Sequence, residues 1–325
     1  MAVWDLPVDS RALRDNPLGD PHARRLHVVL PDDHDPAEPI PVVWWLAGYA
    51  GVGRQMLAGD GWQEGLEARL HRLIAEGRVG PMAIALPDAF TDLGGCQYLS
   101  SPAVGDYETY LWEELPAVLA DHLAVGRQGV AGKSSGGFGA LMAVMRGRAP
   151  VEAAVCHSGD MGFELSVFPD LPVLMNAVRD HGSVEALRAA HQGATNRKEG
   201  RWFGPLSMLA LAAVYSPRPD GGIELPFDLA TGHLREEVLD RWRAFDPVRV
   251  ARTPEAAGRL RALRLLFLDC GRRDEHALHW GLRQLVFALE EQGVPFVHQE
   301  FEGGHRSTSH RLDVSLPRLY QALTG

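Results

Sequence analysis

Residues 130–140, with the sequence VAGKSSGGFGA, constrain the fold of this chain more than any other stretch. A short apolar run enters a G-x-S-x-G core, and small residues lead from it into a helix-like segment. This layout is typical of a nucleophile elbow, a sharp strand-to-helix turn that exposes a serine hydroxyl at the top of a sheet. Gly132 and Gly136 suit the turn because a side chain there would collide with the neighbouring strand or helix. The stretch predicts Ser134 as a nucleophile.

The same residues overlap a second motif. Gly132, Lys133 and Ser134 match the end of a phosphate-binding loop, G-x-x-x-x-G-K-[ST]. That pattern needs glycine at position 127, where this chain has Arg127. It also needs a loop before the Gly-Lys pair, whereas here an apolar run leads straight in. A nucleotide site is therefore the weaker interpretation.

Strand-like runs alternate with amphipathic helical runs, which predicts an α/β protein with a mostly parallel central sheet and helices on both faces. Several strand runs are continuously apolar, as expected of strands covered on both sides. Strands are predicted at Arg25–Leu30, Pro41–Leu46, Met82–Leu86, Gly129–Gly132, Val151–His157, Leu263–Asp269 and Pro295–Phe301. Helices are predicted at Gly61–Glu76, Tyr107–Leu123, Gly136–Arg148, His276–Gln292 and Leu312–Leu323.

One interval is far longer than the connections usual in such folds. Residues 1–157 and 262–325 are predicted to form the core, and 158–261 to form a cap-like or lid-like insertion. The insertion contains helix-like pieces at Leu171–His181, Val184–His191, Leu206–Tyr215 and Arg235–Ala244. It would lie above the carboxyl edge of the sheet, where ligands bind in open α/β folds, and supply walls of a substrate pocket. The alternative is a structural insertion that touches no substrate.

Charge and apolar patterning limit the partners and the compartment. The net charge is −10 and the arginines are scattered, so neither nucleic acid nor an anionic membrane surface is an expected partner. The N-terminus lacks the pattern of a signal peptide, and the apolar stretch Leu206–Tyr215 is about half of the ~20 residues that a membrane span needs. Cys96, Cys156 and Cys270 form no C-x-x-C pair, so no disulfide or zinc framework is expected. We expect a cytoplasmic protein.

The activating base of Ser134 should lie late in the chain. A serine hydroxyl is a weak nucleophile until a base within hydrogen-bond reach takes its proton. In folds with this elbow, the catalytic residues follow the order Ser, then Asp or Glu, then His. The last predicted strand ends in two glycines that lead directly to His305. His305 is therefore the predicted base, with His310 as the fallback.

The acid should follow the preceding strand, where the sequence offers three carboxylates. Asp269 closes the predicted strand, whereas Asp274 lies beyond it on a loop that can reach over the sheet. Its role would be to fix the imidazole tautomer and stabilise the imidazolium. Asp274 could instead cap the helix that starts near His276, since aspartate is a favoured N-cap residue. Asp274 is the predicted acid, and Asp269 and Glu275 stay open as alternatives.

An oxyanion formed during acyl transfer needs two preplaced backbone N–H donors. One comes from the residue after the nucleophile, here Ser135, and the other from an early strand-to-helix loop. Residues 42–51 form such a strand and glycine-rich loop, which assigns the second donor to the N–H of Tyr49. The Ser135 hydroxyl has no predicted role.

With these elements in order, the sequence resembles the esterase D-like family of esterases in the α/β-hydrolase superfamily. The resemblance runs from about Leu26 to Leu323 and is carried by LAGYAG at 46–51, the elbow, DCGRRD at 269–274, GGH at 303–305 and the tyrosine-containing segment 106–115. It implies an α/β-hydrolase fold and a serine carboxylic-ester hydrolase with a Ser134–His305–Asp274 triad and an acyl-enzyme. Its substrate would be a small-molecule ester, with no cofactor and no metal.

Two residues depart from the family pattern. Ala47 stands where family members often have histidine in the oxyanion loop, and this leaves the main-chain donor intact. Lys133 stands before the serine, where histidine or glutamine is more usual. Nothing in the sequence explains this lysine.

Three other functions stay open. An acyltransferase would use the same acyl-enzyme with a bound alcohol or amine in place of water. A hydrolase-fold protein without catalysis could act as a ligand-binding module, although every triad position holds a competent residue. A metal site could use His276 and His279, which form H-x-x-H on a predicted helix, but no acidic or cysteine partner accompanies them.

Overall fold

The computed structural model describes residues 1–325 and contains one eight-stranded β-sheet flanked by helices. The strands are β1 (Ala2–Asp9), β2 (Ala23–Leu30), β3 (Ile40–Leu46), β4 (Ala83–Leu86), β5 (Val125–Lys133), β6 (Ala153–His157), β7 (Leu265–Gly271) and β8 (Val297–Phe301). Their order in the sheet is β1-β2-β4-β3-β5-β6-β7-β8. β2 pairs antiparallel with both β1 and β4, and every other pair is parallel. The predicted α/β class with a mostly parallel sheet is confirmed.

Thirteen α-helical segments surround this sheet. They are α1 (Leu66–Ala75), α2 (Tyr107–Thr109), α3 (Leu115–Ala120), α4 (Ser135–Met145), α5 (Phe163–Ser166), α6 (Leu171–His181), α7 (Val184–Gln192), α8 (Gly200–Tyr215), α9 (Glu236–Arg243), α10 (Pro247–Val250), α11 (Pro254–Arg261), α12 (Leu278–Glu291) and α13 (Leu312–Thr324). A π-helical turn at Tyr110–Glu114 joins α2 to α3. No helix is both long and apolar enough to cross a membrane.

Each face of the sheet carries its own apolar cluster, because successive side chains of a strand point to opposite faces. On one face, Val43 and Phe267 pack with leucines of α1 and α13. On the other, Trp44 and Leu268 pack with α3, α4 and α12. Burying a large apolar side chain contributes about 1.5–3 kcal/mol, so these two layers fix the sheet between its helices.

Parallel pairing brings the carboxyl ends of six strands, β3 to β8, to one edge of the sheet. Leu46 is level with Gly132, Lys133 with His157, and His157 with Asp269. Gly271 is level with Phe301 at the ends of β7 and β8. The loops that follow β3, β5, β7 and β8 therefore meet above this edge.

Residues 158–261 lie between β6 and β7 and form helices α5 to α11. α6 packs against both α7 and α8, while α10 and α11 contact α4. Leu174, Leu209 and Trp242 from this segment lie in the same buried cluster as the side chains on one face of the sheet. The segment thus packs onto the sheet through a shared apolar core.

Some predicted elements differ from the observed ones. Strand β1 was not predicted. It is an edge strand of alternating exposure that contains Pro7, a residue that sheets tolerate mainly at edges. The predicted helix Gly61–Glu76 begins only at Leu66, because the preceding residues form a turn closed by Asp60. Helix α8 begins at Gly200, earlier than predicted, and holds Pro205 inside.

Candidate active site

Ser134 occupies a strained turn between β5 and α4. Its φ is 57° and its ψ is −126°, a conformation that non-glycine residues rarely adopt. The turn is held by hydrogen bonds on both sides: the Ser134 N–H donates to the His157 carbonyl at 2.9 Å, and the Phe138 N–H donates to the Ser134 carbonyl at 2.9 Å. This geometry lifts the Ser134 side chain above the carboxyl edge of the sheet.

Two glycines make room for the turn. A Cβ on Gly132 would overlap the Gly136 carbonyl, and a Cβ on Gly136 would overlap the Leu46 and Ala47 carbonyls. All of these obstacles are backbone atoms, which cannot move aside as a flexible side chain can. Glycine is therefore required at both positions.

Replacing Gly136 with alanine is expected to lower the free energy of unfolding by about 3 kcal/mol, because the new methyl group overlaps two carbonyls of β3 and its loop. Urea denaturation would measure the loss. Gly258→Ala is the matched control, since a methyl group on this helical glycine of α11 would meet no neighbouring part of the protein within 4 Å. The control should be stabilising by up to about 1 kcal/mol. Equal effects in the two variants would contradict the steric argument.

His305 and Asp274 lie in line with Ser134. His305 Nε2 is 3.1 Å from Ser134 Oγ, and His305 Nδ1 is 2.8 Å from Asp274 Oδ2. His305 follows β8 on its loop, and Asp274 follows β7, so the parallel pairing of these strands brings the two loops together. His305 is thus within hydrogen-bond distance of both Ser134 and Asp274, and it links these two side chains.

The Asp274 carboxylate is fully buried but well supplied with donors. Burial by itself would raise the pKa of Asp274, but the hydrogen bond and the charge of His305 outweigh it and lower that pKa below its usual value. Asp274 also accepts the His276 N–H at 3.0 Å and lies 3.6 Å from the Cys270 thiol. The carboxylate is therefore kept ionised and fixed in place. Asp274 therefore contacts His305, but it does not cap the following helix, whose N-cap residue is Ala277 with no side-chain cap bond.

Glu275 supports the histidine loop in a different way. It accepts the backbone N–H of His305 at 2.6 Å, and this bond lowers the pKa of Glu275 below its usual value. Glu275 thus fixes the main chain of the loop, while Asp274 holds the imidazole. The sequence placed Glu275 among the candidate acids but gave no sign of this main-chain contact.

Asp269, the alternative acid, and His310, the alternative base, lie away from Ser134. Asp269 lies 2.6 Å from His157 Nδ1 and accepts a hydrogen bond from Arg311 Nε at 2.7 Å, so its carboxylate is engaged away from His305. His310 is exposed and packs its ring edge-on against Phe301. Neither residue contacts Ser134.

The predicted oxyanion donors flank the nucleophile. A Cβ on Gly48 would lie 3.6 Å from Ser134 Cβ, so the loop after β3 runs directly beside the serine. The Tyr49 N–H has no acceptor within the protein. The Ser135 N–H opens helix α4, where the first N–H groups lack intrahelical partners. Both N–H groups are free for a ligand, and the Tyr98 hydroxyl anchors the loop by donating to the Ala47 carbonyl at 2.6 Å.

A polar network beside the elbow, which was not predicted, borders the cavity into which Ser134 opens. The Ser135 hydroxyl donates to Gln97 Oε1, and Gln97 Nε2 donates to Asp160 at 3.0 Å and to the Tyr215 hydroxyl at 3.2 Å. Burial raises the pKa of Asp160. The Ser135 hydroxyl, for which the sequence predicts no role, ties the start of α4 to this network. No local sequence signal could have revealed contacts between residues so far apart in the chain.

Ser134 opens into a cavity of about 520 Å³, which we call the main cavity. Its apolar wall comes mostly from the segment 158–261 and is formed by Val167, Phe203, Met208, Leu211 and Leu278. Its polar lining includes Lys133, Asp160, His276, His305 and Arg306. Cavities of this size suit small organic ligands.

The histidines considered as metal ligands do not converge. The His276 ring lies edge-on against the His305 ring with centroids 4.8 Å apart, whereas the His279 ring packs on Trp280. No group of three or more His, Cys, Asp or Glu side chains is arranged to hold a metal ion. His276 instead lines the main cavity beside the candidate base.

A family model described as "Putative esterase" matches residues 21–313 of the chain. A comparison with curated proteins finds no match. Among solved structures, a ferulic acid esterase is 20% identical, with a TM-score of 0.61, over 99% of this chain and 98% of that one. An S-formylglutathione hydrolase from Agrobacterium tumefaciens is 17% identical, with a TM-score of 0.57, over 99% of this chain and 95% of that one. A ferulic acid esterase from Anaeromyces mucronatus is 15% identical, with a TM-score of 0.51, over 99% of this chain and 89% of that one. These likenesses show a shared fold.

Proposed function

The chain belongs to this esterase family, and on that premise we propose that it hydrolyses carboxylic esters through an acyl-enzyme formed on Ser134. The observation that carries the proposal is the continuous hydrogen-bonded line from Ser134 Oγ through His305 to the buried Asp274. A serine, a base in contact with it and an acid behind that base are the groups that nucleophilic acyl transfer needs.

In the first half of the proposed reaction, Ser134 Oγ attacks the ester carbonyl carbon while His305 Nε2 takes the hydroxyl proton. The carbonyl oxygen becomes an oxyanion, which the N–H groups of Tyr49 and Ser135 stabilise. Collapse of this intermediate breaks the bond to the alcohol oxygen. His305 returns the proton to that oxygen, and the alcohol leaves while the acyl group stays on Ser134.

In the second half, a water molecule takes the place of the alcohol. His305 removes a proton from the water, the hydroxide attacks the acyl carbon, and the oxyanion forms again at the same two N–H groups. The proton then passes to Ser134 Oγ as the acid is released. Asp274 holds the imidazole in the tautomer that both halves need and stabilises its protonated form.

We further propose that residues 158–261 act as a cap over the site. Their side chains supply most of the apolar wall of the main cavity, with Phe203 packed edge-on against the ring of Tyr49 at a centroid distance of 5.2 Å. This wall would enclose the apolar part of a small-molecule ester, a class to which relatives named for ferulic acid point.

A fluorophosphonate is expected to form a stoichiometric adduct on Ser134, because the reagent needs an activated serine next to an oxyanion site. Mass spectrometry of the digested protein would locate the adduct. His305→Ala should retain the fold and lose the adduct, since the base is then missing. Failure of the wild-type protein to react would contradict the proposal and favour a binding protein without catalysis.

Product analysis separates hydrolysis from acyl transfer. With a short ester in plain buffer, the free acid should be the only acylated product. If added alcohols or amines capture most of the acyl group at millimolar concentration, the enzyme is an acyltransferase that uses the same acyl-enzyme.

A further inference from the structure

A second cavity of about 310 Å³, which we call the side cavity, adjoins the main cavity. Gly48, Gly51 and Lys133 line both cavities, so the two meet at the oxyanion loop and the elbow. Gln63, His157, Arg311 and the three consecutive residues Ser307, Thr308 and Ser309 also line the side cavity. Nothing in the proposed reaction uses this space.

The side cavity contains no aspartate or glutamate, although the chain carries a net charge of −10. Its polar lining consists of hydroxyls, amides, one histidine and two cations. Arg311 is already engaged, because it donates to Asp269 at 2.7 Å and to Gln299 at 2.6 Å. His157 is engaged as well, by Asp269 and by Ser315. Lys133 is the one charged group of the cavity that has no such partner.

The Lys133 ammonium forms no ion pair and no hydrogen bond within the protein. The charge of Asp274 acts on the pKa of Lys133, but the Asp274 carboxylate forms its hydrogen bond with His305. Burial lowers the pKa of Lys133, and Asp274 and Glu275 offset this effect only in part. Lys133 is half-buried, so its ammonium loses part of its hydration without gaining a partner, and an anion brought in by a ligand would compensate this loss. Binding of an anionic ligand group would thus explain why lysine stands at position 133, where family members usually have histidine or glutamine.

The position of the side cavity indicates which part of an ester it would receive. The leaving oxygen must reach His305 Nε2 to take its proton. Ser307, Thr308 and Ser309, which line the side cavity, follow His305 on the same loop. His305 itself lines the main cavity, so an alcohol part that extends from His305 along this loop would enter the side cavity, and the apolar wall of the main cavity would then be left for the acyl part.

We propose that the side cavity is a subsite for an anionic group, a carboxylate or a phosphate, carried by the alcohol part of the ester and bound by Lys133. The proposal rests on the proposed ester hydrolysis and names its substrate class. Lys133 acts here as a specificity-determining residue that binds substrate and takes no part in proton transfer. Other polar side chains that line the side cavity, including Gln63, complete the site.

Three aryl acetates test this subsite: 4-acetoxybenzoate, its neutral amide 4-acetoxybenzamide, and the phosphonate analogue 4-acetoxyphenylphosphonate. The carboxylate and the amide have nearly the same shape. The wild-type enzyme is expected to favour the carboxylate over the amide in kcat/KM by at least about tenfold, since a hydrogen bond to a charged group is strong in a partly buried site. The phosphonate arm shows which of the two anions the site prefers.

Lys133→Met should abolish this preference, so that the ratio of kcat/KM for the carboxylate to kcat/KM for the amide falls to about one, and Lys133→Arg should restore part of it. Gln63→Glu places a carboxylate in the side cavity, away from the elbow, and still accepts the hydrogen bond of Ser309. It should reverse the preference. Arg127→Met is the matched control, because it removes a positive charge from the opposite end of the same strand, where Arg127 pairs only with Glu152. It should leave the ratio unchanged.

The outcomes are distinguishable. If the wild-type enzyme hydrolyses the amide and the carboxylate equally well, or if Lys133→Met keeps the preference, the subsite is overturned while the esterase function stands. If the wild-type enzyme hydrolyses none of the three esters and its Ser134 does not react with a fluorophosphonate, the proposed function itself fails. Fluorophosphonate labelling of Lys133→Met shows whether the elbow next to the substitution is still intact.

Discussion

Replacing Ser134 with alanine is expected to lower kcat/KM for a short p-nitrophenyl ester by about 10⁵-fold or more. The substitution removes the atom to which the acyl group would be attached, while the oxyanion donors and the cavity stay in place. A residual rate above the uncatalysed reaction would come from those donors alone. The substitution only removes the hydroxyl oxygen and introduces no clash, so the protein should fold normally. Circular dichroism and urea denaturation would check this.

The adjacent serine provides the control. Ser135→Ala keeps the main-chain N–H at the oxyanion site and removes only the hydroxyl that donates to Gln97. Its kcat/KM should fall by no more than about tenfold, because the lost hydrogen bond to Gln97 affects the site only through the polar network beside the elbow. If Ser134→Ala retained more than a few per cent of the activity, or if Ser135→Ala proved equally damaging, Ser134 would not be the nucleophile.

The location of this site could be predicted from sequence because it depends on local features and on chain order. The elbow is recognisable from its glycines, and the backbone overlaps that a side chain at Gly132 or Gly136 would cause show why they are needed. His305 and Asp274 were found from their places after predicted strands. Parallel strands deliver such loops to one edge, and the structure places both side chains in line with Ser134. Their catalytic roles stay predictions.

What could not be predicted depends on contacts between distant parts of the chain. Gln97 forms hydrogen bonds with Ser135 and Asp160 beside the elbow, and no spacing in the sequence indicates these contacts. The edge strand β1 was missed because its alternating, half-exposed pattern contains a proline and resembles a loop. The π-helical turn at Tyr110–Glu114 likewise departs from the continuous helix that the spacing of leucines predicts. Periodicity reports which side of an element is buried, but not what it is buried against.

Asp269 illustrates how a residue of the right type in a plausible place can serve another purpose. It is fully buried at the end of β7 and binds His157 and Arg311. Because Arg311 precedes helix α13, this network joins the strands of the sheet to the start of that helix. The arrangement of Ser315, His157 and Asp269 even resembles that around Ser134, but Ser315 has no solvent exposure and could not meet a substrate. Solvent access to the serine therefore distinguishes the Ser134 arrangement from the Ser315 arrangement.

The contrast between the two aspartates gives a second large effect. Asp274→Asn is expected to lower kcat by about 10⁴-fold at neutral pH, because an amide facing His305 Nδ1 favours the wrong imidazole tautomer and no longer stabilises the imidazolium. Steady-state kinetics with a p-nitrophenyl ester would measure the loss. The free energy of unfolding should change much less than the activity, since the amide oxygen can still accept the His276 N–H.

Asp269→Asn should lower the stability of the protein more than its kcat. It leaves Arg311 without its buried charge partner, so the free energy of unfolding should fall by about 3–5 kcal/mol. The folded fraction should keep most of its kcat, because Asp269 does not contact His305. Urea denaturation and kinetics on the same two variants would test both statements at once. If Asp269→Asn were the variant that lost kcat while Asp274→Asn only lost stability, the acid would be Asp269, and the line from Ser134 through His305 to Asp274 would not be the catalytic one.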